Sequence, residues 1–168
     1  LALLNLENEE RDKSRKLFEF VCELNAENPT ANYYLGKLYE ADDSVKAIFH
    51  FERATQSVAF KAKAQLELGR ISFFRGLYDK SIHHFELAGN ADGTAASTWY
   101  LYLFAYALAS QGRFERFEQI LARILGRSYQ EESWLGTAPT AVYALGTLLM
   151  EKNAYTAAHK CFDFVRSS

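Results

Sequence analysis

The chain has 168 residues, of which 49% are hydrophobic and 24% charged, so it is long enough for one folded domain with a sizeable core. It carries 19 Lys and Arg against 21 Asp and Glu, and no polybasic block, which argues against a surface for nucleic acid or anionic membranes. No apolar run approaches the ~18 residues of a membrane-spanning helix. Because Cys22 and Cys161 make no disulfide framework, we expect a reduced intracellular chain, cytoplasmic or nuclear. Since Leu1 opens within an apolar pattern, we also expect a fragment of a larger chain.

Apolar residues recur at helical spacing along almost the whole sequence. The first predicted repeat combines the end of a helix at 1–9 with a second helix, Arg11–Ala26, which carries an apolar stripe that includes Leu17 and Phe18. The remaining helices are predicted, in chain order, at 28–41, 44–57, 60–75, 78–89, 96–110, 113–125, 139–152 and 154–166.

Turn and cap residues separate the predicted helices. Pro29 suits a first helical turn, and the Asp42-Asp43-Ser44 segment offers N-cap side chains. Gly76, Gly112 and Asn153 supply turns between paired helices, because Gly and Asn tolerate a left-handed backbone. Gly126 is predicted to end its helix, and residues 127–137 form an insertion before the last pair.

Three marker positions keep one phase, at intervals of 33 to 41 residues. Small residues mark the first helix of each pair, and an aromatic or aliphatic residue, here called the knob, marks the second, followed three residues later by another apolar one. The small residues are Ala2, Gly36, Gly69, Ala105 and Gly146; the knobs are Phe18, Phe51, Phe85, Leu121 and Phe162. A single array of about five helical hairpins follows, at 1–26, 28–57, 59–89, 95–125 and 139–168, truncated at both ends.

These markers resemble the tetratricopeptide repeat, a helix–turn–helix unit with Leu-Gly, an aromatic residue and then A-x-x-x-F. The pattern stands here as Leu35-Gly36 with Ala47 and Phe51, and again as Leu145-Gly146 with Ala158 and Phe162. The related Sel1-like repeat is the alternative, particularly over 31–56. The resemblance implies an all-α, right-handed superhelical solenoid of antiparallel helix pairs over nearly the whole chain.

No arrangement of residues indicates catalysis. His83 and His84 point about 100° apart on a helix, so they do not form an i, i+4 chelate, and His50 and His159 stand alone. No phosphate-binding or nucleophile motif occurs. We therefore expect no enzyme activity, no metal site and no cofactor.

The resemblance implies that the first helices line a concave groove, whose faces carry aromatic side chains and a few cations. The candidate groove residues are Tyr33, Tyr34, Lys37, Lys63, Leu66, Arg70, Phe73, Phe74, Tyr102, Leu103, Tyr106, Tyr143, Thr147 and Met150. Trp134, in the insertion, is a candidate loop contact. Trp99 packs in the core if its repeat keeps the usual register, and faces the groove if the register shifts by two residues.

These residues suit a protein–protein interaction module that binds an extended or helical segment of a partner, with apolar side chains and some acidic character, within a multiprotein assembly. The alternative is a structural scaffold that makes its contacts through the solenoid ends and the 127–137 loop and has no peptide-binding groove. RNA binding, known among helical repeats, is disfavoured by the near-neutral charge.

Overall fold

The computed structural model describes residues 2–91, 98–128 and 138–167, and these residues form helices joined by short turns. No strand occurs within those three ranges. The helices are α1 (Ala2–Leu24), α2 (Pro29–Tyr39), α3 (Ser44–Ala54), α4 (Val58–Phe74), α5 (Tyr78–Ala91), α6 (Thr98–Ser110), α7 (Phe114–Ser128), α8 (Ala138–Glu151) and α9 (Tyr155–Ser167).

The N-caps of α2 and α3 and three of the turns fall where the sequence predicts them. The Asn28 side chain accepts a hydrogen bond from the backbone N–H of Ala31 at 2.9 Å, and Asp43 accepts from the first turn of α3. Three hairpin turns use a left-handed residue: Gly76 has φ +72°, Gly112 has φ +69° and Asn153 has φ 58°. Each residue directs the chain back along the helix that precedes it, as expected for Gly and Asn.

Within the described ranges the helices pair into four hairpins, with first helices α2, α4, α6 and α8 and second helices α3, α5, α7 and α9. Helix α1 packs on α2 as α3 packs on α4, so α1 occupies the place of a second helix. Successive first helices approach one another, whereas the second helices make no comparable approach among the described residues. The first helices therefore line the concave side of the array.

A small residue in the first helix lets the knob of the second helix approach closely. A Cβ atom on Gly36 would lie 2.7 Å from ring carbons of Phe51, and Gly146 is equally close to Phe162. The knobs Phe51, Phe85 and Leu121 are buried, while Phe162 is partly buried. For the three Gly–Phe pairs at 36/51, 69/85 and 146/162, the predicted phase of small residues and knobs is therefore the phase of the packing.

The prediction for the N-terminus is wrong in one respect. Residues 2–24 form one continuous helix, rather than the end of one helix followed by a second, so Ala2 and Phe18 lie on the same helix and the hairpin predicted at 1–26 does not form. No Gly or Pro stands in this stretch to interrupt the helix. Helix α7 likewise continues through Gly126 to Ser128 instead of ending there. The rest of the predicted insertion, with Trp134, lies outside the described residues.

Candidate partner-binding surface

The exposed and half-buried side chains of the first helices form the candidate surface, called here the inner face. It is centred on the residue that follows each small residue. These central residues are Lys37, Arg70, Tyr106 and Thr147. Along α8 the exposed residues recur at helical spacing as Thr140, Tyr143, Thr147 and Met150. One stripe of each first helix thus remains uncovered by the second-helix layer.

The inner face between α2 and α4 is an ion-pair network of Lys37, Glu40, Glu67 and Arg70, called here the ionic part. The Lys37 ammonium lies 2.9 Å from Glu67 and 3.5 Å from Glu40. The Arg70 guanidinium pairs with Glu67, Nε to Oε2, at 2.9 Å, and its Nη2 pairs with Glu40. Two cations and two carboxylates neutralise one another in this network.

Glu67 is the centre of the ionic part, and its side chain is only 5% exposed. Burial by itself raises the pKa of a carboxyl group, but the hydrogen bonds from Lys37 and Arg70 outweigh burial and hold the pKa of Glu67 below its usual value. Burial, and then the negative charge of nearby Glu67, raise the pKa of the Tyr100 hydroxyl on α6. One carboxylate therefore links three successive first helices.

The inner face between α4 and α6 is a chain of five aromatic rings, called here the aromatic part. Its order is Phe74, Phe73, Tyr106, Tyr102 and Trp99, with successive centroid distances of 5.5, 5.4, 6.4 and 5.8 Å. The two end rings are the most exposed, Phe74 at 63% and Trp99 at 43%.

Helix α5 supports the aromatic part from below. The Tyr78 ring lies 5.5 Å from Phe73 and 6.3 Å from Tyr106. Burial raises the pKa of both Tyr102 and Tyr106. The inner rings are therefore fixed by packing, and the end rings are available to a ligand.

Helix α8 extends the surface with apolar side chains. Tyr143 and Met150 are exposed, and the Tyr143 ring packs on Phe162 at 5.5 Å. The equivalent ring in α2, Tyr33, packs 5.8 Å from Phe51 and is half-buried. The same position thus carries an aromatic ring at both ends of the inner face.

Several predicted groove residues lie elsewhere than expected. Leu66 and Leu103 are buried in the core, because both pack in the apolar cluster that neighbouring helices form. Lys37 and Arg70 lie on the inner face but are paired with carboxylates, which removes the basis for expecting an acidic partner. Lys63 and Tyr34 are exposed, with Tyr34 stacked on Phe18 at 5.3 Å.

The predictions from the sequence do not include Glu40, Glu67 and Tyr100, and they leave Trp99 undecided. Trp99 stacks beside Tyr102 on the exposed side of α6. Glu40 stands four residues after Gly36, as Phe73 does after Gly69, so the repeat phase contained the signal for its place. The partners of Glu67 lie on neighbouring helices, and the helical period of one helix does not reveal them.

Two histidines have structural partners. His50 Nδ1 lies 2.9 Å from Asn32 Oδ1, and His84 Nδ1 lies 2.7 Å from Gln65 Oε1. Because the Asn32 amide nitrogen donates to backbone carbonyls, its oxygen is the acceptor and His50 Nδ1 carries the proton. In both hairpins the pair joins the residue before the knob to the residue four before the small residue.

Within the three described ranges, no group of His, Cys, Asp or Glu side chains has the arrangement of a metal site. The same residues include no helix long and apolar enough to cross a membrane.

Comparison with solved structures shows the fold. YrrB, a TPR protein with an unusual peptide-binding site, superposes with a TM-score of 0.73 at 19% identity, over 98% of this chain and 80% of YrrB. MamA gives a TM-score of 0.72 at 16% identity, over 96% and 90% of the two chains. The chain has the fold of a tetratricopeptide repeat array.

A third similar structure is that of TPR-like repeats of a putative kinesin light chain from Podosopora anserina, with a TM-score of 0.61 at 16% identity, over 96% of this chain and 88% of that one. No protein-family model matches the sequence, and no curated protein sequence matches it. The repeat fold is thus shown by structure.

Proposed function

We propose that the chain is a protein-interaction module whose aromatic part binds an apolar segment, extended or helical, of another protein. The observation that carries this proposal is the ring chain from Phe74 to Trp99, which has fixed rings in the middle and exposed rings at both ends. Aromatic side chains are enriched at the centres of protein interfaces, because they bury a large area at low entropic cost.

The neighbouring ionic part favours an apolar partner over an acidic one. Lys37 and Arg70 gain little from a partner carboxylate, because Glu40 and Glu67 already neutralise them. Exposed Tyr143 and Met150 continue the apolar surface onto α8. The described surface therefore fits a segment with two or more large apolar side chains that lies across α4, α6 and α8.

The fold similarity supports the same class of function. YrrB is described as having a peptide-binding site, and it shares the repeat architecture over nearly the whole of this chain. A preformed repeat surface suits peptide binding, because the array is ordered before the ligand arrives.

Selection of peptides from a random library, with the folded chain as bait, tests the proposal. We expect enrichment of segments rich in aromatic and aliphatic residues. A parallel selection uses the Phe74→Ala, Trp99→Ala double variant, and a control uses Val45→Ala, which removes an exposed apolar side chain on a second helix.

The proposal predicts that the control enriches the same peptides as the wild-type chain and that the double variant does not. Enrichment that is the same for all three proteins places the binding site elsewhere and rejects the proposal. Absence of any enriched peptide rejects it as well.

A further inference from the structure

Helix α1 has two different faces. One face packs on α2: Arg11 Nη2 donates to the backbone carbonyl of Leu38 at 2.5 Å, and Phe18 stacks on Tyr34. The other face carries a stripe of Leu17, Phe20 and Leu24, which are 61%, 55% and 74% exposed. Among the described residues no helix covers this stripe.

In the other second helices, the position equivalent to Leu17 of this stripe is covered by the array. Leu17 precedes the knob Phe18, and the residue in that place contacts its own first helix in the next two hairpins, as His50 and His84 show. The residues equivalent to Leu17 in α7 and α9, Ile120 and Cys161, are buried. The knob Phe18 itself packs on Tyr34 of α2. The stripe beside it is therefore the part of α1 that another helix can cover.

The stripe has the spacing of a coiled-coil seam. Leu17, Phe20 and Leu24 follow one another by three and four residues, the alternation of positions that meet across paired helices. The charged residues Lys16 and Glu23, both exposed, flank the stripe on one side and stand seven residues apart. Such flanking charges set the choice and the direction of a partner helix.

These charges are self-complementary in one orientation only. When two copies of α1 pair antiparallel about the point midway between Glu19 and Phe20, Lys16 of each copy comes level with Glu23 of the other. A parallel pair would instead bring Lys16 level with Lys16 and Glu23 level with Glu23. Two identical patches that match each other in this way make an isologous twofold interface.

We infer that the occupant of the stripe is a second copy of this chain, paired through antiparallel α1 helices. Three apolar residues over two turns bury less area than a standard protein interface, so the dimer is weak and its formation depends on concentration. This interface is separate from the aromatic part, and its test is therefore independent of the proposed function.

Sedimentation equilibrium of the chain, from low micromolar to several hundred micromolar, measures the self-association. We expect Lys16→Glu and Glu23→Lys each to raise the dissociation constant of the homodimer at least about tenfold, because each places like charges opposite one another. Phe20→Asp abolishes the dimer. Val58→Asp, at a side chain 93% exposed on α4, leaves it unchanged.

A mixture of the two charge variants gives the sharpest result. In the mixed dimer each Glu of the first variant faces a Lys of the second, so the heterodimer forms at concentrations where each variant alone pairs much more weakly with itself. The Lys16→Glu, Glu23→Lys double variant pairs with itself again. All these substitutions are at exposed positions, and circular dichroism confirms that each variant folds.

Three results overturn the inference. If the wild-type chain stays monomeric at every concentration, a second copy does not cover the stripe. A dimer that Phe20→Asp leaves intact uses another surface. A mixture of charge variants that fails to associate rejects the antiparallel arrangement.

Discussion

The ring of Phe85 fills the space that a side chain on Gly69 would need. A Cβ atom on Gly69 would lie 2.7 Å from two carbons of that ring. The same relation recurs between Gly36 and Phe51 and between Gly146 and Phe162. The third hairpin has Ala105 at the glycine position and Leu121 at the knob position, both buried, so a larger residue on one helix accompanies a smaller one on the other.

Gly69→Ala is expected to destabilise the array by about 1–3 kcal/mol, because the new methyl group meets a packed ring. The change would otherwise favour the helix, since Ala has the higher helix propensity. Gly89→Ala in α5 is the matched control: among the described residues, no atom outside its own part of α5 lies within 4 Å of its Cβ position, and we expect a gain of about 0.5 kcal/mol. Urea unfolding measures both changes. A Gly69→Ala chain as stable as the wild type contradicts the packing account.

Phe85→Leu is expected to relieve the cost of Gly69→Ala, because the pair then has the composition of the third hairpin. Each single change is destabilising, Phe85→Leu by about 1 kcal/mol. The double variant should lose less free energy of unfolding than the sum of the two, which a double-mutant cycle measures. Simple additivity would show that the two residues do not compete for one space.

Glu67→Gln is expected to cost about 3 kcal/mol, because it leaves Arg70 and Lys37 with only Glu40 as a charged partner. Glu118→Gln, which breaks the exposed pair with Lys160 at 3.2 Å, is the control and should change stability by less than about 1 kcal/mol. Thermal or urea unfolding compares the two. Equal small effects would mean that water rather than the carboxylate stabilises the ionic part.

The loss of stability in mild acid should depend on His50 and His84. Burial lowers the pKa of both below the ordinary value of 6.5, with Arg53 adding to the effect at His50 and His83 at His84. The folded state therefore prefers the neutral ring. The stability it contributes is complete above pH 6.5 and is lost as the pH falls from there toward the lowered pKa values.

Urea unfolding at several pH values between 7.5 and 5 measures this dependence. His50→Gln, His84→Gln should flatten the curve, since glutamine does not titrate. Carboxylates such as Glu67, whose pKa is lowered, act at more acidic pH. A pH dependence that the double variant retains in full would assign it to other groups.

The sequence predicted most of the fold because each repeat carries its own packing markers. Small residue, knob and turn recur with one phase, and local rules suffice for helices that pair with their neighbours in the chain. The error at residues 2–24 has a local cause too. Asn, Asp and Ser favour helix ends, but Asn8, Asp12 and Ser14 do not interrupt α1, because no Gly or Pro accompanies them.

The candidate surface was less predictable, because its character depends on contacts between helices. The inner positions of Lys37 and Arg70 followed from helical phase, but their neutralisation depends on Glu67 and on how far α2 lies from α4. The burial of Leu66 was also not predictable from its own helix, because adjacent residues of one helix can lie in the core and on the inner face. The ring chain from α4 to α6 likewise forms only when the hairpins stack.

Trp99 offers the most direct test that the aromatic part binds a partner segment, because it is both an end ring and a fluorophore. The chain has two Trp residues, so Trp134→Phe leaves Trp99 as the only tryptophan. The measurement is the emission of Trp99 while a peptide from the library selection is added, with fluorescence anisotropy of the labelled peptide recorded in parallel. We expect a blue shift, because the peptide excludes water from the ring, and we expect it to give the same dissociation constant as the anisotropy change. Binding seen by anisotropy without any change in Trp99 emission would contradict it.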